Sequence, residues 1–390
     1  MDRLPSGGRH DPSARDHPRL GPRAAGPRSV DPLIPSLDPL PASFPPLLLA
    51  LALTVAATAA FIRLAPRAGF VAHPRADRYH SAPVPLLGGA AWLLGVGIAA
   101  IVTRSPSAAE TGASLLPAAG VGIAGFFLVG LRDDRWPLGP LAKGILQVAV
   151  WGAVFAIWRP GGPLGHPLGL ALAGGGAVVL INAWNYLDHA DGVVAVVGGI
   201  AGSGLGLAVG AVLGEAPLVR LVWCATGGLL GFLVWNLPPA RIFLGDSGSL
   251  PIGFVLVFAA LVLIERGGPE TRTAAAGAHV VPFADLLMVS LVRLRKGTNP
   301  LHGGREHTAH RLFGALGPTR SLLLLAAGTA GLAAFGLLFG PAHPVLGPSL
   351  AGGLAVAAAL VVSAVPAPDR APAPSSRSKK RERRSGKRSI

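Results

Sequence analysis

Apolar runs dominate the chain, and polar residues gather in the short intervals between them. Eleven runs are long enough to cross about 30 Å of hydrocarbon as helices: 46–65, 84–103, 114–131, 141–158, 168–187, 193–213, 218–237, 248–264, 277–292, 320–339 and 345–364. The run at 277–292 is short and interrupted by Pro282 and Asp285. This pattern predicts an all-α integral membrane protein, a polytopic bundle of about eleven transmembrane helices covering 46–365. Residues 1–45, rich in Pro, Arg and Asp, read as an unfolded N-terminal tail. They lack the short charged leader and apolar core of a signal peptide. Residues 366–390 read as a basic disordered tail.

Composition agrees with the pattern. Hydrophobic residues make up 51% of the 390 and charged residues only 14%, well below the roughly 25% of soluble domains. The 54 glycines suit helices that approach closely in lipid. Net charge is +15, but its distribution says more than its sum. The tail "RSKKRERRSGKRSI" suits orientation and contact with anionic lipid headgroups, and nucleic-acid binding is not expected of it. The single cysteine, Cys224, lies within a span, so no internal disulfide can form.

The intervals alternate in character. Those after the second, fourth, sixth, eighth and tenth runs are short and poorly charged: "RSPSAAETGA", "RPGGPLGHP", "GEAP", "RGGPETRTAAA" and "GPAHP". The others hold "PRAGFVAHPRADRYHSAP", "RDDRWPLGP", "DHADG", "PPARIFLGDSGS" and the long interval from "RLRKGTNP" to "GPTR". Positive residues mark the cytoplasmic side. The N-terminus is therefore expected outside and the C-terminus inside, in the plasma membrane. Five intervals carrying Asp, His, Asn and Lys then share one face and form one candidate site.

Each motif taken alone is ambiguous. "DRYHSAPVPLLGG" (77–89) is a basic loop running into a Gly-Gly helix start. In "GLRDDRWPLGPLAKGILQ" (130–147), adjacent Asp133 and Asp134 cannot face the same way on a helix, so one can serve substrate and the other structure. Lys143 and Lys296 are the only lysines outside the tail, and an ammonium at a span start suits phosphate. The pair fits a helix cap with a snorkelling lysine equally well. "NAWNYLDHADGVV" (182–194) sets Asn182, Asn185, Asp188 and Asp191 three residues apart. That spacing makes one polar face if the helix continues, for chemistry or for interhelical hydrogen bonding.

In "RIFLGDSGSLPIGF" (241–254), Asp246 sits among Gly245, Ser247, Gly248 and Ser249, a turn small enough for close approach to phosphate or a hard cation. "HGGREHTAHRL" (302–312) spaces His307 and His310 beside Arg305 and Arg311. Zinc would want further soft ligands, whereas imidazoles with arginines suit a diphosphate. Together these residues form the kit for phosphoryl transfer. An ion transporter would place its ionisable groups near the bilayer centre.

The ordered motifs "RYHSAPVPLLGG", "DDRWPLGPLAKGILQ", "NAWNYLDHADG", "FLGDSGS" and "REHTAHRL" resemble the polyprenyl-phosphate N-acetylhexosamine-1-phosphate transferases. These include undecaprenyl-phosphate GlcNAc-1-phosphate transferases of the WecA/TagO type and, more distantly, the MraY translocases. The resemblance covers about residues 66–315. It implies transfer of a sugar 1-phosphate from a UDP-sugar to a membrane polyprenyl phosphate, with release of UMP and Mg²⁺ (or Mn²⁺) as cofactor. UDP-GlcNAc is the implied donor and a cell-envelope glycan the implied destination, and the family link also suggests a homodimer.

Carried over by motif, Asp133 and Asp134 are the aspartate pair, and Asp246 is the metal ligand with Asp134 beside it. Asn185 and Asp188 line the nucleotide pocket, Asp191 contacts uracil and Phe243 stacks on it. Lys143, His307, His310 and Arg311 hold phosphates or sugar. Two positions depart from the pattern. D-H-A-D-G puts His189 where D-G-x-D-G has glycine, and H-x-x-H-R replaces the consecutive histidines of MraY. The second departure favours an N-acetylhexosamine donor over the muramoyl-pentapeptide one. The alternatives are an MraY-like translocase and a non-catalytic or transporting relative that binds lipid-linked sugars.

Overall fold

A computed structural model describes residues 40–72, 83–104, 114–214, 217–299 and 306–366. Most of the two expected tails, the segment "DRYHSA" and Arg305 lie outside these residues. Among the described residues the helices are joined by loops and by one two-stranded antiparallel pair, β1 (Val71–Ala72) and β2 (Val84–Pro85). The thirteen helices are α1 (Leu40–Arg67), α2 (Gly88–Val102), α3 (Leu115–Arg135), α4 (Pro140–Trp158), α5 (Pro167–Leu187), α6 (Val193–Leu213), α7 (Pro217–Asn236), α8 (Asp246–Arg266), α9 (Arg272–Gly277), α10 (Val280–Arg295), α11 (Thr308–Leu316), α12 (Pro318–Leu338) and α13 (Leu346–Ala364).

Nine of these are long and apolar enough to cross a membrane, and the chain is a multi-pass membrane protein. The other two expected spans take different forms. Helix α2 has 15 residues, about 22 Å at 1.5 Å per residue, because the β1–β2 pair occupies the start of that run. The expected span at 277–292 is the second limb of a bent pair, Pro269–Gly277 and Val280–Arg295, meeting at 56°. Pro282 does not interrupt it. The proline falls in the first turn of α10, where its missing N–H leaves no helical bond unmade.

Burial orders the bundle. Helix α8 is its axis, with 94% of its apolar window buried, against 72% for α7 and 67% for α6. Helices α1, α4 and α13 bury about a fifth of theirs and form the outer wall. Lipid tails are as apolar as leucine, so contact geometry rather than hydrophobicity must join such helices. An aromatic series does so for α3, α4 and α8. Phe126 lies 5.4 Å from Phe254, Trp151 5.2 Å from Phe254, and Trp158 5.1 Å from Phe258. Pairs of this kind contribute about 0.5–1.5 kcal/mol each.

The axis begins at Asp246. Two neighbouring helices reach that point through glycines: a methyl group at Gly89 of α2 would run into the backbone of Gly248, and one at Gly130 of α3 into Asp246. On the same end, Phe243 N–H donates to Pro85 O at 2.9 Å, and Gly88 N–H to Phe243 O at 2.9 Å. The β1–β2 pair is thereby tied to the turn that precedes α8.

Candidate active site

The polar cluster forms where the ends of α3, α4, α5 and α8 meet. Lys143, in the first turn of α4, bridges two carboxylates: its ammonium lies 3.1 Å from Asp133 Oδ2 and bonds Asp246 Oδ2. Asn185 Oδ1 is 3.5 Å from the same nitrogen. Asn185 Nδ2 donates to Asp246 Oδ1 at 2.9 Å and to Ser249 Oγ at 2.8 Å. Five residues from four helices thus share one network. One turn deeper, Gln147 of α4 and Asn182 of α5 pair through their amides, with Asn182 Nδ2 2.6 Å from Gln147 Oε1. The expected polar face of α5 therefore divides its work, Asn182 joining helices and Asn185 joining the cluster.

The two adjacent aspartates separate as their helical positions require. Asp133 faces Lys143. Asp134 turns to the start of α8, its Oδ1 accepting from Asp246 N–H at 2.8 Å and its Oδ2 from Ser247 N–H at 3.0 Å. These amides have no partner within their own helix, so Asp134 caps α8 from outside. Gly245 precedes them at φ +72°, a left-handed conformation that glycine adopts freely. A side chain there would also meet the Asp134 carboxylate. Of the residues expected at the metal, Asp134 accepts these two backbone amides, and Asp133 stands across from Asp246 on Lys143.

The oxygens of Asp133, Asp246 and Asn185 converge on one cationic group. This is a hard-oxygen environment, and it suits Mg²⁺, which commonly takes one or two carboxylates and completes its shell with water and substrate phosphate. Among the described residues no three His, Cys, Asp or Glu side chains are arranged as a self-sufficient metal site. Substrate oxygens would have to contribute.

Asp188 and Asp191 do not share a helix face, because α5 stops at Leu187 and α6 starts at Val193. Asp188 is the C-cap of α5, its backbone N–H bonded to Asn185 O. Asp191 Oδ2 accepts Ala240 N–H at 2.9 Å, joining this loop to the one before Asp246. Asn236, unremarked in the sequence, completes the join: it accepts Gly192 N–H and donates to Ile242 O, both at 2.9 Å. Phe243 is half-buried, its backbone pinned between Pro85 and Gly88.

A second cluster flanks the first across α5. His307 is buried, its ring stacked on His189 at 3.8 Å, with Tyr186 edge-on at 5.7 Å and His310 at 6.2 Å. His189 is exposed, and its Nδ1 bonds Tyr186 O. Asp285, a lone carboxylate in an apolar run, pairs with His307 at 3.0 Å. Arg311 departs from expectation. Its guanidinium bonds Glu306 O, Ser363 O and Val365 O, so it ties α11 to the end of α13 rather than facing the histidines. Beside it Glu306 meets Lys296 at 3.1 Å and Arg293 at 3.6 Å. Burial opposes ionisation of Glu306, but the Lys296 hydrogen bond and the two cations hold its carboxyl below the usual range.

Residues 116–264 match glycosyl transferase family 4. A Streptomyces coelicolor protein named for a glycosyltransferase is 37% identical over 292 residues, 73% of this chain and 68% of its own length. The decaprenyl-phosphate N-acetylglucosaminephosphotransferase of Mycolicibacterium smegmatis is 31% identical over 357 residues, 79% of this chain and 84% of its own. A phospho-N-acetylmuramoyl-pentapeptide-transferase of Moorella thermoacetica is 31% identical over 223 residues, but these are half of this chain and 67% of that protein. Asp133, Lys143, Asn185 and Asp246 all lie within the region matched to the family, and the chain belongs to glycosyl transferase family 4.

Proposed function

We propose that the protein transfers a sugar 1-phosphate, GlcNAc-1-phosphate by preference, from a UDP-sugar to a membrane polyprenyl phosphate. The observation that carries this reading is the Asp133–Lys143–Asp246 bridge with Asn185, a charged cluster at the end of apolar helices, where a lipid phosphate and a polar donor can both arrive. An oxygen of the lipid phosphate attacks the sugar-bearing phosphorus of the donor. The new P–O bond forms as the bond to UMP breaks, leaving a lipid-diphosphate sugar.

Asp246 and Asp133, with the Asn185 carbonyl, would hold Mg²⁺ or Mn²⁺, which would neutralise the diphosphate charge. Lys143 already sits between the carboxylates and can exchange them for phosphate oxygens as substrates enter. Asn185, itself bonded to Ser249, keeps the Asp246 carboxylate from rotating. The end of α5 and the loop carrying Asp188 and His189 bound the nucleotide, with Phe243 supplying a ring for the base, and His307 and His310 contact the sugar diphosphate. The alternation of charged intervals supports a cytoplasmic position for this end of the bundle, in the plasma membrane. The closer coverage of the N-acetylglucosamine transferase relative favours that donor over a muramoyl-pentapeptide.

The test is purified protein with radiolabelled UDP-GlcNAc, polyprenyl phosphate and Mg²⁺, followed for UMP and lipid-diphosphate sugar. Both products are expected, and their absence with every common UDP-sugar would overturn the reading.

A further inference from the structure

Asp285 has no role in the transfer just described, yet it is among the most fully enclosed charged groups of the described residues, 2% exposed inside α10. Burying a carboxylate costs several kcal/mol unless its partners compensate. Both of its oxygens are engaged: Oδ2 with His307 Nδ1 at 3.0 Å, and Oδ1 with Thr308 N–H at 2.6 Å. The second bond stops the carboxylate from swinging. A carboxylate only accepts, so Nδ1 of His307 carries a proton and Nε2 is the ring nitrogen left for another partner. The ring plane is fixed as well, by the stack on His189 and the edge of Tyr186.

Capping Thr308 N–H needs no charge, since asparagine serves as well as aspartate. The charge therefore needs another reason, and the imidazole is the group beside it. We infer that Asp285 is a positioning residue: it fixes the tautomer and plane of His307, so that Nε2 is the atom His307 offers to the donor. This rests on the proposed sugar-phosphate transfer. The groups facing His307 are Asp285 from α10, Tyr186 from α5, His189 from the following loop and His310 from α11. Asp285 is the single anion among them.

The decisive variant is Asp285→Asn, which keeps shape and the Thr308 bond but removes the charge. We expect kcat to fall about 10- to 100-fold, the scale for losing the outer partner of a working histidine, with donor KM changed only a few-fold. In a His307→Gln background the same substitution adds no further loss. A wild-type rate, or an equal loss in both backgrounds, overturns the inference.

Nitrogen-15 histidine spectra of the full chain in nanodiscs supply a reading independent of turnover and of whether the variant folds. A protonated Nδ1 signal, assigned by its absence in His307→Gln, is expected in the wild type. Its absence from the wild type overturns the inference. If the wild type shows that signal but transfers no sugar phosphate, the functional reading falls while the dyad stands.

Discussion

The two polar clusters flank the same helix end but are built differently. The carboxylate–lysine cluster rests on helix starts and ends packed against one another, with glycines at the contacts and backbone amides as anchors. The histidine cluster is an aromatic stack resting on one buried carboxylate, and its exposed member, His189, is the residue that departs from the family pattern. On the proposed function, the comparison would separate charge handling, which needs fixed geometry, from donor fitting, which a stacked ring at the surface can alter without moving a helix.

If this division holds, the largest effect belongs to the first cluster. Asp246→Asn should lower turnover by about 10²–10³-fold, on the scale of removing a fixed electrostatic contact at a reacting centre. UMP release measures it, and near-normal activity would remove Asp246 from the chemistry. Next, Lys143→Met should cost about 10²-fold, since it leaves Asp133 and Asp246 facing each other without a cation. Lys143→Arg should not restore the rate, because a planar fork cannot replace a compact ammonium between two carboxylates.

In the second cluster, His189→Gly and His189→Asn should change kcat/KM by about 10-fold or less while reordering preference among UDP-sugars, an effect of the size that a single pocket contact can exert. A uniform loss across donors would assign His189 to the first group instead. Arg311→Leu should leave turnover per folded molecule within about two-fold but lower stability in detergent by about 1.5–3 kcal/mol, the scale for hydrogen bonds to a charged group. Loss of turnover without loss of melting temperature would return Arg311 to the site.

The smallest effect is expected at Glu306→Gln, under about 1 kcal/mol, because the acid is partly solvated. Its folded carboxyl is held below the ordinary value of 4.5. The contribution is therefore full above that value and fades as pH falls through the depressed one. Melting curves at pH 7 and pH 4 would show it.

Much of this architecture was legible in the chain. Apolar run length marked the spans, and the alternation of charged intervals placed Asp133, Lys143, Asn185 and Asp246 at one end of the bundle, where they meet. Three features were not legible, each for a local reason. Apolar run length already ended α5 at Leu187, but spacing could not show how Asp188 and Asp191 would face, because the chain turns through Gly192 at φ +78°. The H-x-x-H-R motif could not reveal that Arg311 turns to the end of α13, since its partners there lie more than 50 residues further on. Asp285 stood out only as a blemish in an apolar run. Its partner lies 22 residues further on, and no helical periodicity connects the two.

The glycines against the start of α8 have a consequence for genetic screens. Gly89 and Gly130 carry no functional group and lie on helices other than α8, yet each backs directly onto the backbone that presents Asp246. An added methyl must displace that backbone, and a misplacement of about 1 Å at a reacting group can cost about 10²-fold. Loss-of-function alleles should therefore accumulate at these two positions with normal expression and membrane insertion. A survey that scored residues by chemistry alone would file them as lipid-packing mutants.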